Sequence, residues 1–283
     1  MPLTTIYDGG TRVIGDSTAI EETLHPTVMN YINVMRQSSG GNYSMSLNEI
    51  DAVNNMVKAL VYSGLWTKIQ AIYPFIGNSA AAHKYNLKDP QDTNAAFRLS
   101  FLGGGWSHTT TGAKPNGTTS YANTFYQQSV SGSLTNHHLS YYSRTNSNAA
   151  EVEFGSVQGF NSRSFIEIRT SGTTYVQVTG NVNTFLSWTD ANSLGFYLAN
   201  RTASALINGW KNGVKQSQAT TLPSGTNNAN AYFLGAYNNN GPAGFFSTKE
   251  CALASIGEGF TDVEAVDYYR IVQAFQQKLG RQV

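Results

Sequence analysis

Glu151 and Glu153 stand two residues apart in the run EVEFGSV, with Val152 between them and Phe154 after. Successive side chains of a strand point to opposite faces, so both carboxylates would project from one face. Retaining glycosidases need an acid and a nucleophile about 5 Å apart, and a strand can set them out in this way. No third acidic residue follows at Val157 or beside it. Carboxylates on the solvent face of a strand are the commoner arrangement, so two exposed glutamates and no catalytic residues are expected.

The other candidate chemistry is thinner. His137 and His138 follow Asn136 but would face opposite ways in a strand, with no acidic residue close in sequence, so the expectation is a hydrogen-bonded strand start and not a metal site. Asp89 and Asp92 in NLKDPQD are spaced for a calcium loop, yet Pro90 favours a turn with helix capping. No nucleophile elbow, phosphate-cradling loop or dinucleotide fingerprint occurs. Cys251 is the single cysteine; it sits in the apolar run CALASI and is expected to be a small buried side chain. Neither a metal nor a cofactor is expected.

The aromatic residues offer more. Trp106, with His108 two residues on, follows Gly103-Gly104-Gly105, and Tyr237 precedes Asn238-Asn239-Asn240-Gly241. A ring on a loop beside amides gives a sugar an apolar face to stack on and donors around it. Trp106, His108, Tyr237, Asn238 and Asn239 are therefore the carbohydrate-binding candidates. Trp188 and Trp210 are expected to pack on or between sheets.

These residues need elements to hold them. Asn212-Gly213 tolerates the positive φ angles of a tight type I′ turn, so Val214 to Gln218 should return beside a strand running from Phe196 to Lys211, with Gly209 as a bulge. From Phe97 onward, short alternating segments are bounded by Gly, Asn, Ser and Thr. Candidate strands cover 97–102, 138–144, 151–157, 164–170, 174–178, 195–200, 232–236 and 251–256. Within 164–170, Glu167 and Arg169 should face one way and Ile166 and Ile168 the other. Many short strands at this spacing predict a mainly β, two-sheet jelly-roll sandwich.

Helices are expected only near the two ends. Pro26 opens one through about Gln37, closed by Ser38-Ser39-Gly40-Gly41. Ser46-Leu47-Asn48-Glu49 and Thr261-Asp262-Val263-Glu264 are capping boxes. The first heads a stripe of Ile50, Val53, Val57, Leu60 and Val61 ending near Gly64; the second heads Tyr268, Ile271, Val272, Phe275 and Leu279 before Gly280. Both should pack on the sandwich. Residues 1–25 read as a polar, irregular arm. The run 65–76 mixes a helical turn with a strand-like apolar segment.

Of the 283 residues only 12% are charged, and the formal net charge is +1 with no basic cluster. That composition suits a turn-rich β protein made soluble by amides and hydroxyls, and it lacks the footprint of a nucleic-acid partner. The start, MPLTTIYDGG, lacks the basic and apolar segments of a secretory signal and no later run is apolar enough to span a bilayer, so a soluble cytoplasmic product is expected, which would act outside a cell only after lysis or within an assembly.

Segments 65–77, 83–101, 138–148, 211–213, 232–241 and 254–281 together resemble the concanavalin A-like, laminin-G-like jelly-roll domains of tailed-bacteriophage and prophage structural proteins. The resemblance implies a helix-braced jelly roll over 46–283, with the helical additions belonging to the family. It implies a virion component, as fibre, tail or capsid-surface protein, and not a metabolic enzyme. The less similar residues 1–45 become the expected attachment to other virion proteins, and host surface glycans a possible ligand of the loops. A homo-oligomer follows by analogy with fibres, a trimer among them. Lectins of this fold often bind calcium between closely spaced Asp and Asn, but no acidic loop here matches. A free carbohydrate-binding module and a glycoside hydrolase are the rival functions.

Overall fold

The computed structural model describes residues 24–38 and 44–283 in full, and of the first 23 residues the backbone of three short strands. Those strands, Thr5–Asp8, Thr11–Ile14 and Glu22–Thr23, pair in order as a small antiparallel sheet where the sequence suggested an irregular arm. The Ser39-Gly40-Gly41 stop lies outside the described residues, as does Gly9-Gly10.

Two larger sheets face each other. One has nine strands, ordered along its main path Leu186–Thr189, Thr173–Gly180, Arg163–Thr170, Phe154–Val157, Ala231–Leu234, Tyr121–Gln127 and Ser100–Leu102. Tyr237–Asn239 joins it beside Phe154–Val157 as a parallel pair, and Ala243–Gly244 pairs with Tyr237–Asn239. The second has eight strands: Val214–Ala219, Ile207–Lys211, Gly195–Arg201, His137–Ser143, Cys251–Gly257, Gly112–Lys114 and Ser107–Thr109, with Ile69–Tyr73 also paired to Cys251–Gly257. Between the sheets lies a core that includes Leu139, Tyr141, Phe154, Ile166, Ile168, Val176, Tyr197, Tyr232 and Ile256. The mainly β sandwich braced by helices is as the sequence predicts.

Helices Pro26–Ser38, Leu47–Tyr62 and Asp262–Lys278 cover the second sheet. Ser46 and Thr261 each accept the backbone amide three residues on, while Glu49 and Glu264 reach back to the cap amides, so both capping boxes form. Every buried apolar side chain of the three helices packs into one layer with Tyr142, Phe196, Leu198, Trp210 and Leu253 on the outer face of the second sheet. The outer face of the nine-stranded sheet receives none of them.

The hairpin turns at Asn212 (φ 49°) and Gly213 (φ 73°), with Lys211 opposite Val214 and a register shift at Gly209 and Trp210. A Cβ on Gly213 would stand 2.5 Å from the Tyr269 ring, so close approach as well as turn geometry requires glycine. The incoming strand is not continuous: Gly195–Arg201 and Ile207–Lys211 are separate, mutually paired strands. Arg201 ends the first. Its buried guanidinium donates to the carbonyls of Val178, Ser204 and Leu222, which fixes the chain's reversal between them.

Candidate functional site

The expectation of two exposed carboxylates is overturned. Glu151 is 2% exposed, Glu153 is fully buried, and both precede the strand, which starts at Phe154. The reason is Lys249, itself fully buried, whose ammonium lies 2.5 Å from Glu151 Oε1 and 3.0 Å from Glu153 Oε1. Charges removed from water must be paired and hydrogen-bonded, and these are. Ser147 donates to Glu151 at 2.8 Å; the Thr248 amide donates to Glu151 too, and the Ile168 amide donates to Glu153 at 2.6 Å. Burial pushes the Glu153 carboxyl up, Lys249 pulls it back, and Glu151 pushes it further up. Burial presses on Lys249 the other way, but the two carboxylates outweigh it and hold its ammonium charged. A pair this enclosed has no path to a glycosidic bond. It ties the segment 151–153 to Lys249 and to the strand 163–170.

Val152, between the two glutamates, reaches the outer face of the nine-stranded sheet, where it meets Val157, Phe165 and Tyr237. That face carries the candidate site, a groove of about 350 Å³. Alternation along Arg163–Thr170 sends Ser164, Ile166 and Ile168 into the core and Arg163, Phe165 and Glu167 outward. On the neighbouring strand Tyr175 stands opposite Glu167. Gly155 stands opposite Phe165; a Cβ there would fall 2.7 Å from that of Phe165, so glycine leaves the ring its place.

Five rings line the groove. Phe165 meets Tyr237 edge to face at 6.0 Å, Tyr237 meets Phe245 at 6.4 Å, and Tyr175 meets Phe185 at 5.7 Å. Phe185 and Phe245 are 44% and 57% exposed, an unusual use of large apolar rings unless something covers them. Polar groups stand at intervals among the rings: Arg163, Glu167 and Thr170. Burial, the largest influence on Glu167, raises its carboxyl.

The sequence candidates divide between two places. Tyr237 lines the groove, and strand alternation puts Asn239, which is exposed, on its face. Asn238 points the other way and is buried, with its amide nitrogen donating to Ala231 O at 2.7 Å and its oxygen accepting from the Gly241 amide; its role is to shape the turn. Trp106 and His108 sit elsewhere, at the edge where the two sheets meet. Trp106 is half-buried against Phe101 and stacked on His108, and a side chain on Gly235 would strike it. His108 Nδ1 lies 3.0 Å from Nδ1 of the buried His83, which bonds Gly77 O. These contacts spend the faces that a sugar would need.

The remaining expectations can be placed as well. His138 is buried, hydrogen-bonded to Ser255 and to Glu258 O and stacked on Phe260. Asp92 pairs with Lys84 and Arg98, and Asp89 accepts from Gln91. Cys251 is buried between the sheets, Trp210 packs beneath the helices, and the Trp188 ring lies against Gly209. Among the described residues no group of three or more His, Cys, Asp or Glu could hold a metal, and no helix is long and apolar enough to cross a membrane.

Arg163, Phe165, Tyr175, Phe185, Phe245 and Lys249 were not singled out from the sequence. For the first two a signal existed. In RSFIEIRT the same alternation that buries Ile166 and Ile168 puts a phenylalanine on the solvent face between an arginine and a glutamate.

No family model and no curated protein matches the chain. Solved structures do resemble it. The NanB sialidase of Streptococcus pneumoniae aligns over 54% of this chain and 26% of its own, with a TM-score of 0.42 and 15% identity. The chain thus spans about a quarter of that sialidase. The binding domain of botulinum neurotoxin serotype D covers 72% of this chain and 52% of its own, with a TM-score of 0.46 and 10% identity. Domain 4 of the extracellular arabinanase AbnA of Geobacillus stearothermophilus covers 71% and 98%, with a TM-score of 0.41 and 17% identity. At these values the likeness decides neither family nor ligand.

Proposed function

We propose that the chain is a carbohydrate-binding β-sandwich module that acts by adhesion and not by catalysis, with its ligand seated in the groove lined by Phe165, Tyr175, Phe185, Tyr237 and Phe245. The observation that carries this reading is the asymmetry of the two outer faces. Helices cover one, while the other leaves partly exposed rings with Arg163, Glu167 and Thr170 among them. Sugar recognition asks for that combination, since a pyranose has an apolar face and a polar rim. The carboxylate pair that a retaining glycosidase would use is locked to Lys249.

The setting in this reading is a bacteriophage particle, where the module is displayed on a fibre, tail or capsid surface, joined to other virion proteins through residues 1–45 and repeated as a homo-oligomer. Its support is the run of resembling segments between residues 65 and 281. Mass spectrometry of purified particles that fails to find the chain would remove the setting and leave the binding function standing.

Glycan-array screening followed by titration calorimetry tests the binding function. Specific binding to at least one glycan is expected, lost in Phe165→Ala and Tyr175→Ala and kept in Trp106→Ala. An array with no binder, or binding indifferent to both groove substitutions, would overturn it.

A further inference from the structure

On the reading that the groove holds a glycan, we infer that it selects a sugar bearing a single carboxylate: Arg163 and Tyr237 form the anion-accepting end, and Glu167 bars a second negative charge from the other.

Arg163 and Glu167 are four residues apart on the outward face of one strand, which separates their Cα atoms by roughly 13 Å. Phe165 lies midway. A ligand stacked over that ring therefore reaches a cation at one end and a carboxylate at the other. The ends are not interchangeable, because the donors at the Arg163 end are unsatisfied. The guanidinium stands close enough to the Tyr237 hydroxyl to act on it, and Arg163 Nε and the Tyr237 oxygen are both buried without a partner of full hydrogen-bond geometry.

Most buried polar groups in folded proteins are hydrogen-bonded, so two such atoms side by side in an open groove mark where an acceptor belongs. The molecule's other enclosed arginines show the contrast. Arg201 and Arg281 each give several of their N–H groups to backbone carbonyls, whereas among the described residues the Arg163 side chain gives none to a carbonyl or carboxylate and has only the Tyr237 hydroxyl beside it. A carboxylate meets the geometry best, since the planar fork of an arginine matches its two oxygens and a tyrosine hydroxyl can donate to either of them. Glu167 can only accept while ionised, so it suits sugar hydroxyls and disfavours a polyuronate whose next carboxylate would approach it.

Titration calorimetry on the full chain, with matched probes, tests this. The pairs are glucuronosyl-xylotriose against xylotriose and N-acetylneuraminyl-lactose against lactose, with trigalacturonate as the polyanion. The acidic member of at least one pair is expected to bind about tenfold tighter than its neutral partner. Arg163→Gln should abolish that preference, so that the acidic and neutral members of each pair bind the variant alike, and Arg163→Lys should restore part of it. Glu167→Gln should strengthen trigalacturonate binding. Equal binding within both pairs, or a preference that survives Arg163→Gln, overturns the inference while leaving the groove a glycan site. If sugars of neither kind bind, the glycan reading falls and takes this inference with it. Thermal melts of each variant show whether the sandwich is intact, and because both side chains point outward, unchanged melts are expected.

Discussion

Phe165 and Tyr237 meet edge to face with ring centroids 6.0 Å apart, on the sheet face that the long helices leave open. They come from strands that run antiparallel on either side of Phe154–Val157: Phe165 from the long strand 163–170, Tyr237 from a three-residue strand two places over. Gly155, on the strand between them, has no side chain to hold them apart. An edge-to-face pair contributes about 0.5–1.5 kcal/mol beyond the area it buries, so each ring fixes the other's tilt. Phe165→Ala should lower glycan affinity by about tenfold or more, because it removes the platform and loosens Tyr237. The melting temperature should move little, since Phe165 is only half-buried. Calorimetric titration beside a thermal melt separates the two effects, and an unchanged affinity would take the ring out of the site.

Lys249 neutralises one of two carboxylates that would otherwise be buried together, so its removal should be far costlier than that of a surface lysine. Lys249→Met is expected to destabilise the fold by about 3–5 kcal/mol, the cost of leaving buried charge without its counter-ion. Replacing all three, as Glu151→Gln, Glu153→Gln and Lys249→Met, should recover most of that loss. Urea denaturation of the two variants reads the difference. If Lys249→Met unfolds at the wild-type midpoint, the triad does not hold the 151–153 segment to the sheet.

Why Lys249 escaped the sequence reading is physical. Its partners lie 98 and 96 residues away, and nothing local in STKECAL distinguishes a buried ammonium from a solvated one. Local signals fared better. Both capping boxes, the Asn212-Gly213 turn and the alternation of Ile166 and Ile168 depend on residues within a few positions of each other, and all are present in the structure. Strand 121–127, YANTFYQ, was missed because its inward residues include Ala122 and Thr124, which carry little apolar signal, although both are buried. Tyr237–Asn239 read as a loop because three asparagines suggest a turn; its strand rests on parallel pairing to a distant segment and on a two-residue pairing with Ala243–Gly244. The candidate site was read at Tyr237 and Asn239, and a signal for Arg163 and Phe165 lay in the alternation of RSFIEIRT, whereas Tyr175, Phe185 and Phe245 join the groove from separate segments that carry no signature of it.

Acidification should weaken the fold. Burial lowers His83 and His137 to about 3 and His138 to about 4, against an ordinary value of 6.5. The folded state therefore binds fewer protons than the unfolded chain below pH 6.5. Their contribution is complete above that pH and is lost as pH falls toward 4. Glu153 acts in the opposite sense, because its raised carboxyl lets the folded state hold a proton that the unfolded chain releases above about pH 4.5. Three histidines outnumber one glutamate. The melting temperature is expected to drop steadily from pH 7 to pH 4.5, with a shallower drop in His138→Gln. A melting temperature that is flat or rises over that range would mean that the histidines are protonated within the fold.

Arg281 supports the packing of the carboxy-terminal helix on the second sheet. It is 1% exposed, and its guanidinium donates to Phe75 O at 2.9 Å, Pro74 O at 3.0 Å and Ala252 O at 3.2 Å, with Nε donating to Gln276 at 2.9 Å. Three segments distant in sequence thus meet at one side chain. Burial lowers its pKa only to about 10, so it stays charged at neutral pH. Arg281→Ala would take this donor from the Phe75 and Pro74 carbonyls and leave Ala252 O with the Gln276 amide, and hydrogen bonds from a charged group are worth about 1.5–3 kcal/mol each at most. A loss of about 3 kcal/mol is expected after partial relaxation. Arg281→Lys should recover less than half of it, because a single ammonium cannot span carbonyls that a planar fork reaches in different directions. The proposed glycan groove lies on the opposite sheet, so binding there should be unaffected below the melting transition, and chemical denaturation and calorimetric titration of Arg281→Lys together check that bracing and recognition are separable in this fold.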